Sequence, residues 1–102
     1  DGVTPVLAIF PSVGQVDALK AARADKPAAE YEADLAIIAR IQRDLTEFAA
    51  PKGVTVVDLL VPFMDSDVRP YGEVDQSHPS VHGYGIAAWA VLEALVAGGL
   101  LD

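Results

Sequence analysis

The two histidines of the sequence lie in one short stretch, Asp75-Gln76-Ser77-His78-Pro79-Ser80-Val81-His82. Asp75 stands three positions before His78. In a tight turn, residues so spaced can face each other. The carboxylate then accepts one ring N–H of the imidazole, fixes its tautomer and leaves the other nitrogen free as a base. Pro79 restrains the backbone directly after His78 and keeps that residue out of the helix that follows. A rigidly held imidazole of this kind offers proton abstraction from a hydroxyl, the general-base half of a hydrolytic reaction. A serine hydroxyl is a weak nucleophile until such a base takes its proton.

Three other residues suggest chemistry and point elsewhere on inspection. His82 follows His78 by four positions, a spacing that zinc uses on a continuous helix. Pro79 and Ser80 interrupt that helix, so no metal site is expected, and His82 is expected as a partly exposed residue of the first helical turn. Ser12 follows an apolar run, but Phe10-Pro11-Ser12-Val13-Gly14 lacks the glycine that a nucleophile elbow needs before the serine. It reads as a loop or cap serine, and Val13-Gly14 is too sparse for a phosphate loop. Asp58 interrupts an apolar run near its end, where a structural role at the sheet's carboxyl edge is expected. No cofactor is expected.

The elements that must position Asp75 and His78 follow from periodicity. Thr4 to Phe10, TPVLAIF, reads as a strand buried on both faces, and Val54 to Leu60, VTVVDLL, as a second. Ser12 to Pro27 reads as a loop with a short helix over Val16 to Arg23. Pro27 to Ala50 reads as one long helix. Pro27 suits its first turn, and Tyr31, Leu35, Ile38, Ile41, Leu45 and Phe48 draw one apolar stripe. Pro51 and Gly53 stop it. Val61 to Val74 reads as a loop, long enough to suggest function. A last helix starts at Ser80, an N-cap residue, and ends at Gly98-Gly99. Its expected buried face holds Ile86, Trp89, Ala90, Leu95 and Val96, with Trp89 and Tyr84 read as core. Two strands joined by a long helix imply a parallel pair. The order is β-α-β-α, and ligands of such sheets bind at the carboxyl ends of the strands.

The pattern D-x-x-H-P-S-x-x-G-Y followed by an apolar helix resembles the last block of the SGNH (GDSL-type) hydrolases. The upstream order is similar to theirs as well: an apolar strand ending in Phe-Pro, a long helix, a strand ending VVDLL, then a loop. The resemblance implies a three-layer, flavodoxin-like α/β fold with a parallel sheet, of which residues 1–102 form the C-terminal half as a single partial domain. It implies that Asp75 orients His78 and that His78 is the base of a Ser-His-Asp triad. Ester hydrolysis or acyl transfer on a small-molecule ester is the implied reaction. The Gly-Asp-Ser block and the later Gly and Asn blocks of that family have no match here, so nucleophile and oxyanion donors are expected outside this chain. The chain alone is expected to be inactive.

Composition narrows the remaining classes. With 102 residues, 52% of them apolar, the chain fits one globular domain or less. A net charge of −8 without basic clusters disfavours nucleic acid as a partner. The absence of cysteine excludes disulfides, thiol catalysis and thiolate metal sites. No segment reaches the about 18 apolar residues of a membrane span. The chain opens DGVTPVLAIF, with neither a basic leader nor an initiator Met, which suggests a processed or excised chain and assigns no compartment. A two-stranded parallel sheet is too small to stand as a complete domain. The expected partners are therefore a missing N-terminal half or a second copy paired through an open sheet edge. The rival expectation to the enzyme is a non-catalytic interaction domain using that edge.

Overall fold

The computed structural model describes residues 3–100. Their order is β1 (Val6–Ile9), α1 (Val13–Asp25), α2 (Ala28–Ile38), α3 (Arg40–Ala49), a 3-10 turn (Ala50–Lys52), β2 (Thr55–Asp58), α4 (Leu60–Met64) and α5 (Val81–Ala97). The chain is mixed α/β. β1 and β2 pair in parallel, with Val6 opposite Thr55 and Ile9 opposite Asp58. Pro5 and Ile9 extend the ladder by accepting from the Thr55 and Leu59 amides. Among the described residues the sheet has these two strands. The core gathers Leu19 of α1, Val57 of β2, Leu59, Leu60, Phe63 and Met64 around α4, Tyr71, and Ala87 of α5. The radius of gyration is 14.7 Å, above the about 13 Å of a closed domain of this length. The surplus reflects an elongated shape, 48 × 30 × 21 Å.

The segment after β1 is more helical than its sequence suggests. α1 runs for 13 residues and buries Val16, Leu19 and Ala22. Ser12 caps it: its hydroxyl accepts from the Gln15 amide, and the Gln15 side chain accepts from the Ser12 amide. This reciprocal pair satisfies two N–H groups that a bare helix start leaves orphaned. The expected long helix over Pro27 to Ala50 is in fact two. It breaks at Ala39, whose φ of −92° and ψ of 16° leave the helical region. There the Gln15 side-chain amide donates to the Ile38 carbonyl and exchanges hydrogen bonds with Gln42. Among the described residues Gln42 is the one buried polar residue, and neither polar atom of its side chain lacks a partner.

The buried positions of α3, Gln42 and Ala49, continue the helical phase of Tyr31, Leu35 and Ile38, so the apolar residues of α3 fall on the flank of the core face. Tyr31, Leu35 and Ile38 pack against the core, whereas Ile41, Leu45 and Phe48 face outward. The loop expected after β2 also contains structure. α4 forms there because Leu60, Phe63 and Met64 share one buried face, and Pro62 sits in the first turn, where proline is tolerated. On α5 the expected face is corrected: Trp89 is 65% exposed, Val96 59% and Tyr84 52%. Gly83 and Ala87 are buried instead, with Ile86, Ala90, Val91 and Ala94 packed beside them. Small residues let α5 approach the core closely, and its large residues therefore stand on the other side.

Candidate functional site

The Asp75–His78 turn is the tip of a small hairpin. Tyr71 and Pro79 form an antiparallel bridge. The Ser80 amide donates to the Pro70 carbonyl at 2.9 Å, and the Gly72 amide donates to the His78 carbonyl at 3.3 Å. The turn is closed by backbone on both sides, and His78 lies just outside the helix that Ser80 caps by accepting from the Gly83 amide.

Three contacts tie this hairpin to the carboxyl end of β1 and to α1. The buried Tyr71 hydroxyl donates to the Pro11 carbonyl at 2.6 Å. The Tyr71 ring meets Phe63 edge-on, and Phe63 meets Phe10 in the same way. Arg69 forms a fork to both Asp17 carboxylate oxygens at 3.2 Å and reaches the Gln76 side chain at 3.0 Å. α1 thus holds the tip from one side. From the other side α5 closes in at Gly83, where a Cβ would stand 2.1 Å from the Pro70 carbonyl oxygen. Only a residue without a Cβ permits that approach.

Within the tip, Asp75 Oδ2 meets His78 Nδ1 at 2.7 Å. The other carboxylate oxygen accepts from the Ser77 amide at 3.0 Å and from the Ser77 hydroxyl. The Ser77 hydroxyl also lies 3.2 Å from His78 Nδ1. These contacts favour the charged form of the carboxyl. The Ser77 hydroxyl first and the His78 ring second hold Asp75 down to about 2. Neutral imidazole with Nδ1–H facing this carboxylate carries its lone pair on Nε2. His78 Nε2 has no hydrogen-bond partner among the described residues, and the ring is 71% exposed.

Asp75 and His78, the residues singled out by spacing, are thus brought together. His82 is not part of their cluster. Its Nε2 lies 3.1 Å from the Ser66 hydroxyl. That hydroxyl gives its proton to the Val68 carbonyl, so the imidazole is the donor in this pair and Ser66 is not an activated nucleophile. No group of three or more potential metal ligands occurs among the described residues. Ser12 caps α1, and Asp58 accepts from the Leu60 amide at the strand end.

An open groove of about 620 Å³ runs beside α5, lined by Pro62, Val81, His82, Ile86 and Trp89 among others. Neither Asp75 nor His78 lines it, so it is a neighbour of the turn and not its binding cavity. No described helix is long and apolar enough to cross a membrane.

Four further residues shape this site: Ser77, Arg69, Tyr71 and Gly83. Ser77 carries a signal in hindsight, a hydroxyl inside a tight acidic turn. Gly83 carries another, a helix-disfavouring residue in the first turn of a helix. Arg69 and Tyr71 carry none, because their partners Asp17 and Pro11 lie more than fifty positions away. Comparison of the chain with protein-family models, with curated proteins and with solved structures finds no match in any of the three.

Proposed function

We propose that this chain supplies the base and its orienter, His78 and Asp75, to a serine hydrolase of the SGNH (GDSL) type. In this reading it is the C-terminal β-α-β-α portion of a three-layer, flavodoxin-like domain. The observation that carries the proposal is the 2.7 Å contact between Asp75 Oδ2 and His78 Nδ1, with Nε2 left unengaged. Its placement beside the carboxyl end of β1 supports it, since open α/β sheets bind ligands there.

The chemistry would be cleavage or transfer of an acyl group from a small-molecule ester. A serine hydroxyl gives its proton to His78 Nε2 as its oxygen attacks the ester carbonyl. Asp75 stabilises the imidazolium that forms. The imidazolium then returns the proton to the departing alkoxide, leaving an acyl-serine. None of the four serines of the chain is poised for this attack. Ser12 and Ser80 cap helices, Ser66 bonds the Val68 carbonyl, and Ser77 bonds Asp75. The nucleophile and the oxyanion donors therefore belong to protein outside these residues.

Two measurements test the proposal. Imidazole ¹⁵N spectra should show neutral His78 as the Nδ1–H tautomer, and Asp75→Asn should abolish that preference. An Nε2–H tautomer would remove the base assignment. With an activated ester, the chain alone should show no turnover above His78→Ala. Turnover that depends on His78 would mean that a nucleophile is already present.

A second reading rests on the sheet. No third strand joins either outer edge among the described residues. A non-catalytic domain that pairs through an open edge would use those unmet backbone groups. A partner bound in that way would protect the outer-edge amides of β1 or β2 from hydrogen exchange while leaving His78 unaffected.

A further inference from the structure

We propose that the groove beside α5 binds a small amphipathic organic cation, an alkylammonium whose charged head sits at Trp89 and Glu93 and whose hydrocarbon tail lies along the groove toward His82. The groove follows one stripe of α5: His82, Ile86, Trp89 and Glu93 recur at spacings of three and four, and Pro62 of α4 lines it from the neighbouring element. Its volume of about 620 Å³ is that of a small-molecule site. Such sites commonly measure about 300–1,000 Å³, with mostly apolar walls and a few polar groups. The groove includes neither Asp75 nor His78, so the site does not depend on the chemistry proposed for that turn.

Charge decides what fits. Glu93 lies one helical turn beyond Trp89 and has no cationic partner among the described residues. A second hollow of about 410 Å³ shares Pro62, His82 and Ile86 with the first and continues it to Asp65 and Asp67. Arg23 neutralises Asp65 at 2.9 Å, whereas Asp67 has no such partner among the described residues. No lysine or arginine lines either hollow. The apolar stretch thus ends in an unmet carboxylate on each side, on a chain of net charge −8. A fatty carboxylate or a phosphate would meet like charge at both ends. An ammonium head instead gains the Glu93 carboxylate and an indole, the aromatic group that attracts cations most strongly. Asp67 offers charge without that ring, since no Trp, Tyr or Phe lines its hollow. The head therefore belongs at the Trp89 end.

The groove is open along its length, so a bound cation keeps part of its surface in water and affinity is modest. For a ligand of about ten non-hydrogen atoms, a Kd of about 1–10 mM follows.

Trp89 is the sole tryptophan of the sequence, so its emission reports the groove directly. Titration with hexyltrimethylammonium at constant ionic strength should saturate in that range. Hexanol lacks the charge, tetramethylammonium lacks the tail and hexanoate has the opposite sign, and each should bind at least about threefold more weakly. Glu93→Gln should weaken the cation about two- to fivefold, the range of an exposed ion pair. Glu93→Lys should reverse the order, so that hexanoate binds better than the cation. Glu32→Gln, which removes the same charge from the exposed surface of α2, should leave the affinity unchanged. Glu93 is itself exposed, and far-UV circular dichroism checks that each variant folds. No saturable change in emission, equal affinity for hexyltrimethylammonium and hexanoate, equal losses in Glu32→Gln and Glu93→Gln, or a loss confined to Asp67→Asn would each overturn the proposal.

Discussion

Replacing Gly83 with alanine probes how the Asp75–His78 turn is held in place. On an exposed helix, Gly→Ala stabilises by about 1 kcal/mol through backbone entropy. At Gly83 the added methyl would stand 2.1 Å from the Pro70 carbonyl oxygen and 3.0 Å from Pro79 Cβ. Ordinary contact begins near 3.4 Å, so helix and hairpin must part by about 1.3 Å. Overpacking of this kind costs about 1–3 kcal/mol. The Ser80–Pro70 backbone hydrogen bond lies at the point of contact and contributes about 1 kcal/mol more when lost. The net effect is a loss of about 1–3 kcal/mol, equivalent to a fall in Tm of roughly 5–20 °C for a domain of this size. Gly85, two positions on, meets nothing within 4 Å. Gly85→Ala should therefore follow propensity alone and raise Tm by several degrees, about 4–8 °C per kcal/mol. Thermal melts compare the two. The ¹⁵N spectrum of Gly83→Ala should keep the His78 tautomer preference, because the Asp75–His78 contact is made within the turn itself. Equal Tm gains in the two variants would refute the close approach of α5 to the hairpin.

Two further outcomes concern titration. Burial first and the Asp17 charge second push the Tyr71 hydroxyl up to about 12. The folded state therefore keeps a proton that the unfolded state releases near 10, so stability falls as pH rises from about 10 toward 12. An ultraviolet titration should find one of the three tyrosines ionising last, and Tyr71→Phe should remove that step. The variant should also lose about 1–2 kcal/mol, because the Pro11 carbonyl is left without its donor. At the acid end, the Asp75 carboxyl is depressed, so its contribution is present above the ordinary carboxyl range and is lost as pH falls toward about 2. In Ser77→Ala the Asp75 carbon-13 titration should move up toward 3.8, the value without these contacts. No movement would show that the hydroxyl does not hold the carboxylate.

What sequence conveyed here was the local part of the structure. The Asp75–His78 contact is legible because it spans three residues and one turn, and the Ser80 cap because hydroxyl caps act within their own turn. The parallel strands are legible as apolar runs. The break at Ala39 is not, because it depends on the Gln15 side chain arriving from α1 to occupy the Ile38 carbonyl. Periodicity continues through that break, so Ile41, Leu45 and Phe48 read as core and stand outside it. α5 fails differently. It is apolar almost all round, and pattern alone cannot say which side of such a helix meets the core. The choice fell to the small residues, through the tight approach at Gly83 and Ala87. α4 is short and holds Pro62, two features of a loop, and only its position under Tyr71 and α5 makes a helix of it.

The hydrogen bond from Tyr71 to Pro11 spans sixty positions of chain. Closing so long a loop is entropically costly and follows local helix formation in folding. The Asp75–His78 pair belongs to a hairpin that can form its own backbone contacts early. The seat of that hairpin beside β1 becomes available only after β1 and β2 have found each other. In folding time, then, the Asp75–His78 pair and its address in the fold are separate events. A newly made chain would hold a formed but unplaced Asp–His turn until the edge-on contacts of Tyr71, Phe63 and Phe10 seat its hairpin beside β1.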